Sequence, residues 1–258
     1  MPAAGRQAIP CLFTFAALGA GVGSILASGQ GQFLLAAELI LVSLLLDGLD
    51  GAVARMLKAQ TPFGAELDTF VDVTSFGLAP AALLYFHPHG LRLLPGWGAA
   101  LACLYVFSGA ARLSRFRAGD PYRGARGYLG LPITVAAGFM ASYLVAVERA
   151  VGQNGPFALA AGPLAIGFWT ALALMLALQV SRIRYAKPTK NPWALVPFAA
   201  CLVLLFFPTT ALYSAAFMFA YGLWFAFVSP FFFRRFLDRL PPVEAAPAAP
   251  DGGGTPKE

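Results

Sequence analysis

The chain has 258 residues, of which 59% are apolar and 12% charged, with a net charge of +6. Soluble domains run at roughly 45–50% apolar and about 25% charged, and so few charges cannot clothe a water-soluble globule of this length. The same arithmetic excludes a disordered chain and makes lipid the solvent for most of the molecule.

A spanning helix needs about 20 mostly apolar residues. In chain order the apolar runs predict eight of them, at about 8–28, 33–57, 65–86, 97–116, 130–148, 160–181, 194–208 and 210–231. None shows the two-residue alternation of a barrel strand, so the fold class is all-α, a polytopic integral membrane protein. The first run is long for a signal-peptide core and lacks a small-x-small cleavage site, so it is read as a helix. The seventh is short and ends at Pro208. Cys11, Cys103 and Cys201 lie far apart in separate apolar runs and are read as small core residues. Residues 240–258 are rich in Pro, Ala and Gly without an apolar period. They are read as a disordered cytoplasmic tail behind a membrane domain of residues 1–239.

The charges between the runs set the orientation. With the N-terminus in the cytoplasm, 16 of the 18 Lys and Arg fall on the cytoplasmic side, and only Arg92 and Arg149 fall opposite. That bias follows the positive-inside rule; it needs an even number of spans and puts both termini in the cytoplasm. The basic balance therefore points to anionic lipid and cytoplasmic loops, not to nucleic acid. Glu38, within the second run, falls near the outer interface, and the sequence names no partner for it.

The acids are sorted even more sharply. Asp47, Asp50, Asp68 and Asp72 fall within 26 residues, on the second and third runs. Ionisable groups in membrane segments are expensive and mark function by default. Asp47 and Asp50 are three apart, and Asp68 and Asp72 four apart, so each pair shares a helix face. Gln60-Thr61-Pro62-Phe63-Gly64 between them reverses the chain, and two antiparallel helices can then aim four carboxylates at one point. Left alone these groups repel one another. A divalent cation removes that repulsion, and an all-oxygen set favours Mg²⁺, Mn²⁺ or Ca²⁺. No His or Cys lies near in sequence, which argues against zinc. Gly51 and Ala54 on the same stretch either admit a ligand or allow close helix packing. Arg55 can reach a phosphate or snorkel to the headgroups. Arg112 and Arg115, at the cytoplasmic end of the fourth run, either hold a phosphate or carboxylate or anchor the helix. A cation-coupled transporter is the other class that uses membrane acids. Transporters, however, pair broken helices in two halves, and no second acidic pair matches the first.

Asp47-Gly-Leu-Asp50-Gly51-Ala-Val-Ala54-Arg55, eight further residues, then Gly64-Ala-Glu-Leu-Asp68-Thr-Phe-Val-Asp72 reads D-x-x-D-G-x-x-A-R-x8-G-x3-D-x3-D. This resembles the signature of the CDP-alcohol phosphatidyltransferase family at every fixed position. Phe63-Gly-Ala-Glu66-Leu-Asp68, Asp72-Val-Thr-Ser75-Phe-Gly77-Leu-Ala-Pro80, Gly109-Ala-Ala-Arg112-Leu-Ser-Arg115-Phe116 and Gly130-Leu-Pro132-Ile are similar to its serine-using bacterial and archaeal branch. The resemblance runs from about Ile9 to Tyr185 and departs at Cys11 and Ala17, where members often carry asparagine, while Thr14 fits.

The resemblance implies a helical membrane protein, commonly a homodimer, in the inner membrane with a polar cavity open to the cytoplasm. It implies transfer of a phosphatidyl group from CDP-diacylglycerol to L-serine with release of CMP, using Mg²⁺ or Mn²⁺. Glycerol phosphate or inositol phosphate is the alternative acceptor. Carried onto this chain it makes Asp47, Asp50 and Asp68 the principal metal ligands. Asp72 becomes the general base and touches a second metal. Gly51, Ala54 and Gly64 line the CDP site, and Arg55 holds phosphate. Glu66, Ser75, Arg112 and Arg115 are candidate contacts of the serine or lipid phosphate.

Overall fold

The computed structural model describes residues 3–88, 90–91, 94, 96–119, 127–151, 163–186, 196–205, 207 and 209–232. The expected tail, 240–258, and the cations Arg92, Arg123, Arg126, Lys187, Lys190, Arg234, Arg235, Arg239 and Lys257 lie outside these residues.

Helices α1 (Ala3–Gly29) and α2 (Phe33–Met56) form an antiparallel hairpin. Lipid gives apolar side chains no reason to leave it, so small residues and hydroxyls must hold such a hairpin together. Ala17, Ala36 and Ala37 are fully buried. Ser24 Oγ donates to the Ala36 carbonyl at 2.8 Å, and Ser43 Oγ to the Ala17 carbonyl at 2.9 Å. Gly21 has no substitute here, because a Cβ would stand 2.9 Å from the Ser75 Cα of the next helix.

That next helix begins as α3 (Pro62–Val73), passes through one π turn at Thr74–Leu78 and ends as α4 (Ala79–Phe86). Pro80 has no N–H to give the preceding turn, and the π turn widens the helix just ahead of it. Helix α5 (Gly98–Gly119) follows, then α6 (Ile133–Val151), α7 (Pro163–Val180), α8 (Val196–Leu204), α9 (Ala211–Leu223), a second π turn at Trp224–Val228 and α10 (Ser229–Phe232). Helix α6 is the centre of the bundle. Phe139 and Tyr143 on it pack their rings against Phe168 of α7 and Phe219 of α9 at centroid distances of 4.4–5.7 Å. Leu12, Phe15, Leu26, Phe107, Ile166 and Phe217 point outward instead, more than half exposed, as lipid-facing side chains do.

Among the described residues, five helices are long and apolar enough to cross a membrane: Ala8–Gly29, Pro62–Phe86, Ile133–Ala150, Pro163–Val180 and Ala211–Phe232. Helices α2 and α5 have the length, at 24 and 22 residues, but carry the charged residues of the motif stretches. Of the seventh expected span, 194–208, the described residues form the nine-residue helix α8, a rise of about 13 Å, while residues 194, 195, 206 and 208 lie outside the described residues. The chain still turns back there. Tyr185, just past α7, donates its hydroxyl to the Ala226 carbonyl near the end of the last helix at 3.0 Å. Helices α7 and α9 therefore end on the same face, and the stretch containing α8 returns to the other. Of the cysteines expected in the core, Cys201 is half-buried and packs against it, Cys11 is half-buried and Cys103 is exposed. In lipid an apolar thiol loses nothing by facing out.

The sequence reading also missed a short antiparallel ladder. Strands β1 (Gly127–Leu129) and β2 (Arg184–Ala186) pair Tyr128 with Tyr185 and tie the loops beyond α5 and α7. Gly130 follows with φ +75°, and a Cβ there would stand 2.2 Å from the Gln179 carbonyl oxygen.

Candidate metal centre and active site

The corner between α2 and α3 is heavily specified. Helix α2 ends in a Schellman motif, with Ala59 N–H on the Ala54 carbonyl at 2.9 Å and Lys58 N–H on the Arg55 carbonyl at 3.3 Å. Lys58 takes the left-handed position, φ 50°, that glycine usually fills. Helix α3 opens with Thr61 as N-cap, its Oγ1 accepting from Gly64 N–H at 3.0 Å, and Pro62 in the first turn. Stop and start signals three residues apart set the two helices antiparallel with their aspartates facing.

Asp47 and Asp50 of α2 and Asp68 of α3 place carboxylate oxygens within 4.8 Å of one another. Asp50 is only 5% exposed, Asp47 half-buried and Asp68 open. Asp47 Oδ1 and Asp50 Oδ2 are buried without a hydrogen-bond partner among the described residues. Buried carboxylate oxygens that face each other unsatisfied are costly. A divalent cation satisfies both at once, so these residues fit the metal that the sequence pattern implies. All three donors are hard oxygens, as Mg²⁺, Mn²⁺ and Ca²⁺ require.

Asp72 is not one of the three. It sits one turn further along α3, half-buried, within electrostatic range of Asp68, Asp50 and Arg112. Arg112 is 6% exposed, its guanidinium lying over the Phe116 ring at 5.2 Å. The structure thus brings a cation to Asp72 that the sequence placed only at a helix end. Thr14 and the Gly51 backbone N–H lie close enough to Asp50 to act on its charge. In the sequence Thr14 only fits the family pattern; the α1–α2 hairpin is what carries it to the site.

Arg55 folds back so that Nη1 lies 3.3 Å from where a Gly51 Cβ would be, and Ala54 is half-buried beside them. Gly64 stands at the α3 N-cap, where a Cβ would meet Thr61 Oγ1 at 3.2 Å.

Three other expected substrate contacts are engaged elsewhere. Ser75 is fully buried and donates to the Ala17 carbonyl at 3.2 Å, deep in the α1 interface. Glu66 pairs with Arg117, which also donates to the Ala65 carbonyl at 2.9 Å and Thr69 Oγ1 at 3.0 Å. Arg115 donates to the carbonyls of Val180 (2.9 Å), Ser181 (2.7 Å), Gln179 (3.2 Å) and Leu129 (3.4 Å). A cation on the last carbonyls of α7 caps that helix and complements its dipole. Arg115→Gln is therefore expected to lower stability by about 2 kcal/mol, read as a lower melting midpoint in detergent, with the KM for the alcohol unchanged. A raised KM at an unchanged midpoint would return Arg115 to the substrate site.

Glu38 has the partner the sequence did not name. Its Oε1 accepts from Arg149 Nη2 at 2.8 Å, joining α2 to α6 at the far end of the bundle. The count of Lys and Arg puts Arg149 on that side and the position of Glu38 in the second run puts it there too, so topology allows the pairing although spacing does not name it.

The sequence pattern described as CDP-alcohol phosphatidyltransferase matches residues 7–177. The chain is 34% identical over 210 residues, 80% of its length, to a CDP-diacylglycerol–serine O-phosphatidyltransferase of Helicobacter pylori, covering 83% of that protein. It is 32% identical over 189 residues to a protein of the same name from Methanocaldococcus jannaschii, covering 72% of this chain and 81% of that one. It is also 37% identical over 138 residues to an archaetidylserine synthase of Methanothermobacter thermautotrophicus, covering 53% of this chain and 57% of that one.

Proposed function

Because the chain belongs to the CDP-alcohol phosphatidyltransferase family, we propose that it transfers the phosphatidyl group from CDP-diacylglycerol to L-serine, giving phosphatidylserine and CMP. The observation that carries this reading is the convergence of Asp47, Asp50 and Asp68 within 4.8 Å at the α2–α3 corner. The relatives named for serine transfer support the choice of alcohol.

Asp47, Asp50 and Asp68 would hold Mg²⁺ or Mn²⁺, with Ca²⁺ able to occupy the same oxygens. When bound, the metal neutralises the diphosphate and makes CMP a better leaving group. Phosphoryl transfer then asks the protein chiefly for positioning and charge. The capped corner fixes the two helices relative to each other. Gly51, Ala54 and Gly64 line the CDP site, and Arg55, folded over Gly51, offers paired N–H donors to phosphate oxygens. Asp72 accepts the proton of the serine hydroxyl as that oxygen bonds to phosphorus and the bond from phosphorus to CMP breaks. Arg112, facing Asp72, holds the lipid phosphate or the serine carboxylate nearby.

The site faces the cytoplasm from the inner membrane. Arg112, Arg115 and Arg117 share its end of the bundle through contacts to α3 and α7, which is the side where the positive-inside rule puts cations. The homodimer rests on the family resemblance alone.

Offering purified protein CDP-diacylglycerol, Mg²⁺ or Mn²⁺, and each alcohol in turn tests the reading. CMP release is expected with L-serine and not with glycerol 3-phosphate or inositol phosphate. Release with one of those and none with serine would replace the substrate while keeping the family chemistry.

A further inference from the structure

Glu38 lies 12 residues before Asp50 on α2, a rise of about 18 Å, so it belongs to the opposite end of the bundle from the aspartates. A cavity of about 330 Å³ opens there, lined by Gln32, Phe33, Leu34, Leu35, Glu38 and Glu148. Two of its walls carry unused hydrogen-bonding capacity of opposite sign.

One wall is the start of α2. Its first intrahelical bond runs from Ala36 N–H to the Gln32 carbonyl at 2.9 Å, so the N–H groups of Phe33, Leu34 and Leu35 precede it. Gln32, at the N-cap, makes no side-chain cap. These three donors have no partner among the described residues, and with the helix dipole they favour an anionic oxygen. The other wall is acidic. Arg149 already answers Glu38 at 2.8 Å, but Glu148 is 6% exposed and its Oε1 has no hydrogen-bond partner among the described residues. A buried unpaired carboxylate calls for a donor carrying positive charge.

We propose that this cavity is a second binding site, separate from the aspartate centre, for a ligand with a primary ammonium and an anionic oxygen group on a short linker. The ammonium donates to Glu148, and the anionic oxygens accept from the first turn of α2. An aminophosphate headgroup of a membrane lipid and a free aminophosphate share that chemistry. A quaternary ammonium does not, because it has no N–H to donate.

The probes are O-phosphoethanolamine titrated calorimetrically into the full-length protein in detergent, and nanodiscs of phosphatidylcholine with or without phosphatidylethanolamine, with retained lipid read by native mass spectrometry. Phosphocholine is the control headgroup. Saturable binding of phosphoethanolamine, or selective retention of phosphatidylethanolamine, is expected. Glu148→Gln should weaken it at least about tenfold, the scale of one charge-assisted hydrogen bond, and Asp72→Asn should leave it unchanged. Binding of the free headgroup identifies a soluble ligand, and retention in nanodiscs alone identifies a lipid. Serine-dependent turnover by Glu148→Gln reports an intact fold. Should that variant not fold, the preference of the wild-type protein for phosphoethanolamine over phosphocholine decides. Neither probe binding, equal affinity in Glu148→Gln, or equal binding of phosphocholine would overturn the site.

Discussion

Asp72→Asn is expected to remove phosphatidyl transfer while leaving metal-dependent binding of CDP-diacylglycerol in place. The three-oxygen cluster is complete without Asp72, so the amide leaves the metal and its diphosphate partner where they were. What is lost is the group that accepts the serine proton, and general-base catalysis is worth about 10²–10⁴ in rate. The loss should therefore fall on kcat, with little change in the dissociation constant of the CDP-lipid. Asn is close to isosteric and keeps a hydrogen-bond acceptor, so packing against Arg112 survives. Near-wild-type turnover in this variant would strip Asp72 of its role. Loss of CDP-lipid binding together with activity would make it a metal ligand instead.

Asp50→Asn is expected to give a different signature, because it changes the metal centre itself. Asp50 is the most buried member of the cluster, and one of its oxygens has no hydrogen-bond partner among the described residues. Removing its charge should reduce turnover by at least about 10²–10³, the usual cost of one preorganised electrostatic stabiliser, and weaken Mn²⁺ binding measured by electron paramagnetic resonance. The stability effect should reverse with metal. In a chelator the variant relieves repulsion among close carboxylates and should melt above wild type. With saturating Mn²⁺ the wild type gains binding energy that the variant lacks, and the order should invert. The same order in both buffers would contradict a metal role for this residue.

The α2–α3 corner was legible because its information is local. Spacings of three and four residues fix helix faces, and Thr61-Pro62 marks a helix start whatever surrounds it. The separation of Asp72 from the three-oxygen cluster was implied by the family resemblance and not by spacing, since a shared face does not fix the distance to a second helix. Ser75, Glu66 and Arg115 show the same limit. Each has chemistry suited to a substrate, and each found a nearer partner in Ala17, Arg117 or the end of α7. Apolar runs gave most spans within a few residues, because a helix in lipid must be long. For the seventh run, 194–208, the described residues give nine helical ones, α8. The three-residue ladder β1–β2 carries too little pattern to stand out from a loop rich in arginine.

The most direct test is the coupling of products in metal-stripped, purified protein given CDP-diacylglycerol and labelled L-serine. Adding Mg²⁺ or Mn²⁺ is expected to start the release of CMP and the formation of labelled phosphatidylserine in equal amounts, and a chelator to stop both. CMP release that ignores serine, or phosphatidylserine formed at full rate in the chelator, would contradict metal-dependent transfer at Asp47, Asp50 and Asp68.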